Sequence, residues 1–119
     1  MSLIRGFFKF GNPIIELILE YRKTNFLLDT GFNGEIMISD KLIEELKLEQ
    51  IGISQYISAS GDTRLTNIFK GKIKFFDKDL EVDILSTDAN FSLAGMELFH
   101  ECRIVIERDK GIVEIIKSE

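Results

Sequence analysis

Residues 24–39 read Thr24-Asn25-Phe26-Leu27-Leu28-Asp29-Thr30-Gly31-Phe32-Asn33-Gly34-Glu35-Ile36-Met37-Ile38-Ser39. Phe26, Leu27 and Leu28 form an uninterrupted apolar run, the pattern of a strand covered on both faces, and it stops abruptly at an acid. An ionised carboxylate at the end of such a strand is costly unless it is hydrogen-bonded or shares a proton with another acid. Thr30 can hold the turn through its hydroxyl, and Gly31 admits backbone close to the carboxylate or a conformation closed to other residues. Asp-Thr-Gly by itself arises by chance in roughly a few of every hundred chains of this length. Its meaning therefore rests on its surroundings, because the bare triplet is equally a turn leaving a buried strand, with Asp29 capping its own backbone.

The surroundings are patterned for sheet. Ile15, Leu17, Leu19 and Tyr21 share one parity while Glu16 and Glu20 occupy the other, after a turn at Gly11-Asn12-Pro13. Lys72-Ile73-Lys74-Phe75 and Leu80-Glu81-Val82-Asp83-Ile84 alternate on either side of Phe76-Asp77-Lys78-Asp79, which reads as a hairpin connection. A second hairpin is expected where residues 103–107 and 112–116 flank Arg108-Asp109-Lys110-Gly111, with Gly111 able to take a positive φ. Residues 39–48 have a helical period, Leu42, Ile43 and Leu46 falling on one side behind a Ser39 cap. Residues 96–101, between Gly95 and the strand at Arg103, form a second helical candidate. The whole predicts a mainly β barrel or sandwich in one domain spanning residues 1–119.

Composition narrows the function. A chain that is 45% hydrophobic and 29% charged with a single Pro is globular, not disordered. Fifteen Lys+Arg against twenty Asp+Glu leave a net charge of −5, so there is no basic surface for a phosphate backbone, and nucleic acid is not an expected partner. Cys102 is the only cysteine; it has no disulfide partner and no zinc-ligand spacing around it, which points to a reducing compartment. The N-terminal apolar stretch is broken by Arg5 and Lys9 and does not read as a signal peptide, and no apolar run has transmembrane length. A cytoplasmic location without membrane contact is expected. Asp77 and Asp79 lack the further oxygen ligands of a calcium loop, so no metal and no cofactor are expected. His100 and Cys102 lack a third group to orient a nucleophilic pair.

The segment around Asp29 resembles the active-site loop of retropepsin-like aspartic proteases: an apolar strand, Asp-Thr-Gly, then a return into another strand. The resemblance extends along nearly the whole chain. Phe91-Ser92-Leu93-Ala94-Gly95-Met96-Glu97-Leu98-Phe99 is similar to the family's second apolar segment, which ends in Gly and leads into a short helix beneath the active-site loop. Residues 58–63, Ser58-Ala59-Ser60-Gly61-Asp62-Thr63, correspond to the tip of its flap hairpin. The Asp-Thr-Gly-Phe-x-Gly loop followed by a helix is closest to the small prokaryotic branch. Retroviral members have a small residue and then an Asp where this chain has Phe32 and Asn33, and an Arg where Met96 follows Gly95; the flap here has one Gly.

This resemblance implies a closed retropepsin-like β-barrel with one or two short helices, assembled as a two-fold homodimer, and an aspartic endopeptidase activity on a peptide or protein substrate. Such hydrolysis needs two carboxylates around one water, and none of the other seven Asp residues sits in a second Asp-Thr-Gly or Asp-Ser-Gly. Asp29 is therefore expected to be catalytic by meeting its symmetry mate, the pair sharing a proton. Thr30 and Gly31 support the loop by resemblance, Thr30 through a hydrogen bond across the dimer. Phe32, Asn33 and Gly61 are candidate substrate-binding positions; core packing is the alternative for Phe32 and a plain hairpin turn for Gly61. The terminal segments, residues 3–10 and 111–117, either interleave between subunits or are covered within one chain. A catalytically silent dimer that binds peptide or protein is the alternative function, and a monomeric β domain with an accidental triplet is a third reading.

Overall fold

The computed structural model describes residues 2–57 and 60–117. Strands run in the order Ser2–Arg5 (β1), Phe7–Lys9 (β2), Asn12–Leu19 (β3), Arg22–Asp29 (β4), Ile36–Ser39 (β5), Glu49–Ile57 (β6), Thr63–Phe75 (β7), Lys78–Thr87 (β8), Leu93–Gly95 (β9), Cys102–Glu107 (β10) and Ile112–Lys117 (β11). One α-helix, Asp40–Leu46 (α1), joins β5 to β6, and short 3-10 turns occupy Met96–Phe99 and Arg108–Lys110. Ser39 caps α1 as its sequence position predicts, its Oγ accepting from the Leu42 N–H at 3.2 Å. The second helical candidate is realised as the 3-10 turn at Met96–Phe99.

The strands form two sheets. One has eight strands in the order β2-β3-β4-β9-β5-β8-β7-β6, and β7 also pairs with β3 through Ile18↔Lys74 and Leu19↔Ile73. The other has the order β1-β11-β10. Within the chain β11 is paired on both sides, with β1 and with β10, whereas β1 and β2 are the outer strands of their sheets. Alternation along β3 buries Ile15, Leu17 and Leu19 while Glu16 stays exposed, and with Phe26, Ile36, Ile84 and Ile115 these side chains make the main core. A smaller cluster of Phe32, Met37, Leu85 and Leu93 sits beside the loop that follows Asp29. No helix of the described residues is long and apolar enough to cross a membrane.

Two turns differ from their sequence reading. The first hairpin turns at Phe10-Gly11, with Asn12 and Pro13 already in β3, a strand-start position where Pro is tolerated. The β7–β8 connection is the two residues Phe76-Asp77 at φ 51° and 65°, so Lys78 and Asp79 belong to β8 and not to the loop. Glu20-Tyr21 makes a third such turn between β3 and β4, at φ 48° and 69°. Two-residue turns with both φ values positive match the right-handed twist of the flanking strands, and the pairing on either side outweighs the local cost to a residue with a Cβ. Tyr21 is 90% exposed and so has little packing to lose. Tyr21→Gly is expected to stabilise the chain by about 0.5–1 kcal/mol, read as a melting temperature raised by a few degrees. An unchanged or lowered melting temperature would show that the tyrosine ring carries weight in that turn.

Candidate active site

The apolar run of β4 is held between β3 and β9, and its last residue is Asp29. There β4 runs parallel to β9, with Asp29 in register with Gly95. The chain then turns sharply: the Phe32 N–H donates to the Asp29 carbonyl at 3.2 Å, and the Gly31 N–H donates to Asp29 Oδ1 at 2.9 Å. Asp29 is half-buried, and its Oδ2 has no hydrogen-bond partner among the described residues. One carboxylate oxygen is thus fixed by backbone and the other is free to meet water or a second acid.

The loop from Asp29 to Glu35 is stapled from below by the segment that begins at Gly95. The Gly95 N–H donates to the Glu35 carbonyl at 2.8 Å, the Met96 N–H to the Phe32 carbonyl at 2.9 Å and the Glu97 N–H to the Gly34 carbonyl at 3.2 Å. This approach requires glycine at position 95, because a Cβ there would stand 2.7 Å from the Phe32 carbonyl oxygen and would collide with the Gly34 carbonyl oxygen. A Cβ at Gly34 would stand 2.6 Å from the Phe32 ring, so the two glycines leave the space that ring occupies. The Glu35 side chain adds a further tie, its Oε1 accepting from the Asp83 N–H at 2.9 Å.

No protein-family model and no curated protein matches the chain. Solved structures are similar in fold. A retropepsin-like aspartic protease from Rickettsia conorii superposes with a TM-score of 0.67 over 98% of this chain and 89% of its own, at 19% identity. The EIAV protease in complex with the inhibitor HBY-793 gives 0.64 over 75% of this chain and 86% of its own, at 18% identity. A foamy viral protease-reverse transcriptase bound to an RNA/DNA hybrid gives 0.55 at 16% identity, over 71% of this chain and 11% of that one. The chain has the retropepsin-like fold.

Within the retropepsin-like fold the remaining sequence candidates take distinct places. Thr30 is exposed, and its hydroxyl has no hydrogen bond within the described residues. Gly31 is not at a positive φ, and a Cβ there would stand 3.4 Å from Asp29 Oδ1, so nothing among the described residues forbids alanine. Phe32, for which the sequence leaves pocket and core open, is 6% exposed and packs with Met37, Leu85 and Leu93. Asn33 is exposed. Gly61, at φ +89°, lies in the β6–β7 hairpin next to a Ser60 Oγ to Asp62 Oδ2 hydrogen bond of 3.2 Å. Ser58 and Ala59 of the flap segment lie outside the described residues. The hairpin below the tip places Ile53, Gln55 and Ile57 on one face, Leu65 opposite Gln55, and the three aliphatic side chains are 64–71% exposed.

Among the described residues Cys102 and His100 do not form a second reactive pair. Cys102 is half-buried, and burial raises its thiol above the ordinary range, the Lys117 charge pulling the other way. His100 contacts the Glu97 carbonyl through Nδ1 at 3.0 Å and Glu101 through Nε2 at 3.4 Å, not the thiol. Among the described residues no group of three or more His, Cys, Asp and Glu is placed to hold a metal ion. The sequence singles out the Asp29 loop and the Gly95 segment, includes Gly34 as the last position of the Asp-Thr-Gly-Phe-x-Gly pattern without giving it a role, and gives no role to Glu35. The signal for Gly34 was available, since a Gly two residues from a large aromatic is one way a tight loop can make room for it.

Proposed function

We propose that this chain is an aspartic endopeptidase that acts as a two-fold homodimer of closed barrels, the whole chain forming one domain of the enzyme. The observation that carries this is the state of Asp29: Oδ1 is oriented by the Gly31 N–H, Oδ2 is unpartnered, and the loop is braced by three backbone hydrogen bonds from residues 95–97. A single such carboxylate is half of a hydrolytic centre. Two of them facing each other across a two-fold axis would share one proton and hold one water. The ionised carboxylate takes a proton from that water as it attacks the peptide carbonyl, while the protonated carboxyl donates a hydrogen bond to the carbonyl oxygen. The attack gives a tetrahedral intermediate, which collapses as the leaving nitrogen is protonated.

The supporting residues follow from this reading. The exposed Thr30 hydroxyl, beside the two-fold axis, would pair with the other subunit's loop, and Gly31 would offer backbone to an extended substrate. Asn33, Gly61 and the exposed aliphatic face of the β6–β7 hairpin would contact the peptide, whereas Phe32 acts by shaping the loop from inside. Retropepsin-like aspartic protease is the description of the Rickettsia conorii neighbour, and activity on peptides is carried to this chain as part of the proposal. A single half-buried cysteine suits a reducing, cytoplasmic setting.

Dilution tests the dimer and the chemistry together. Sedimentation over a wide concentration range should give a dimer, and specific activity on a peptide library should fall as the dimer dissociates, reaching zero for the monomer. Cleavage whose specific activity is independent of dilution into the monomer range would overturn the shared centre. Dimer without cleavage at any pH would leave the peptide-binding alternative in its place.

A further inference from the structure

The loop that carries Asp29 is anchored at two ends, and only one of them is backbone alone. At its start, Asp29 is in register with Gly95 on β9. At its end the chain enters β5, which lies between β9 and β8 in the sheet. The β5–β8 ladder begins at Ile36↔Ile84. One residue earlier the chain is bent, and the Glu35 carbonyl is occupied by the Gly95 N–H at 2.8 Å. The Asp83 N–H, next along the ladder, is met instead by Glu35 Oε1 at 2.9 Å. Glu35 therefore grips β9 through its carbonyl and β8 through its carboxylate, at the point where the loop leaves the sheet.

We propose that Glu35 is a positioning residue for Asp29, its side-chain oxygen standing in for a strand carbonyl and fixing the far post of the catalytic loop; this rests on the endopeptidase reading given above. The function needed is that of an acceptor, not of a charge, because the donor is a neutral backbone amide. The bond lies at the protein surface, where water can replace a lost acceptor, so its removal costs little stability. What water does not replace is the geometric constraint. Without it the loop keeps its backbone bonds to residues 95–97 but loses its tie to Asp83 on β8, so it can rock on the 95–97 side and carry Asp29 with it, and a displacement of an ångström at a reacting group is enough to slow chemistry far more than binding.

The test compares the full-length protein with Glu35→Gln, Glu35→Asp and Glu35→Ala by amide exchange and by peptide cleavage. Gln keeps an acceptor at the same reach and is expected to match the parent in both. Asp, one methylene shorter, and Ala are expected to speed exchange at Gly31, Gly95 and Met96 and to lower kcat by about 10- to 100-fold, with KM within about threefold. Parent-like exchange and kcat in Glu35→Ala would overturn the proposal, and so would a Gln variant that fails along with Ala. Should the parent itself cleave nothing, the endopeptidase reading fails on that result alone, and the exchange data still decide whether the Glu35 side chain holds the loop.

Discussion

Asp29→Asn is expected to lower peptide cleavage by about 10⁴-fold or more, since it removes both the proton acceptor and the shared proton of the proposed dyad. The substitution suits the test because it is nearly isosteric. The amide oxygen can still accept from the Gly31 N–H, now made by Asp29 Oδ1 at 2.9 Å, so the turn keeps its hydrogen bond. The amide nitrogen falls where Oδ2 lies without a partner, and it can donate but cannot take a proton from water. Dimer mass and melting temperature should therefore stay close to those of the parent. Mixing offers a sharper version. Once subunits exchange, an excess of Asp29→Asn chains should drain activity from a fixed amount of parent, because a mixed dimer holds one carboxylate instead of two. Activity that survives in the purified variant, or a mixture whose activity only adds, would remove Asp29 from a shared centre.

Gly95→Ala is expected to cost about 3 kcal/mol or more, a melting temperature lower by roughly 10 °C or more, and to disturb the Asp29 loop directly. The added methyl would meet backbone on two sides, the Gly34 carbonyl oxygen and, at 2.7 Å, the Phe32 carbonyl oxygen, with the Phe32 ring at 2.5 Å as well. Those carbonyls accept from Glu97 and Met96, so a shift that relieves the clash pulls on the hydrogen bonds that brace the loop. Gly71→Ala supplies the control. Its methyl would collide with Ile84 Cδ1, the far end of a side chain that can change rotamer, and a smaller loss is expected there. Equal effects of the two substitutions, read by denaturant or thermal unfolding, would mean that the backbone contact at Gly95 relaxes as easily as a side chain does.

Glu35 shows why part of the candidate site was not legible. Glu35 is one of many surface acids by sequence, and its acceptor role depends on Asp83, 48 residues away. No local pattern announces a side chain that substitutes for a strand carbonyl, because the need arises only where two ladders diverge. Phe32 is a similar case. An aromatic after a Gly is compatible with a pocket wall or a core contact, and the outcome is decided by Met37, Leu85 and Leu93 converging on it from β5, β8 and β9. The turns at Glu20-Tyr21 and Phe76-Asp77 carry none of the Gly or Asn that usually marks positive φ, so their two-residue length was hidden until the strands on either side were paired.

By itself, the sequence determined the elements whose signals are local. Period-2 alternation specified the half-buried strands, Ser39 set the start of α1, Gly111 allowed the β10–β11 turn, and an apolar run ending in Asp-Thr-Gly marked the candidate active-site loop. These follow from the residues' own geometry and from which faces must leave water. The tertiary structure alone decided that β11 is enclosed by β1 and β10 of its own chain, that Phe32 is buried, and that Glu35 ties the loop to β8. Each of these depends on groups far apart in the chain competing for one place, and which group wins is settled by the packing and pairing of the whole sheet.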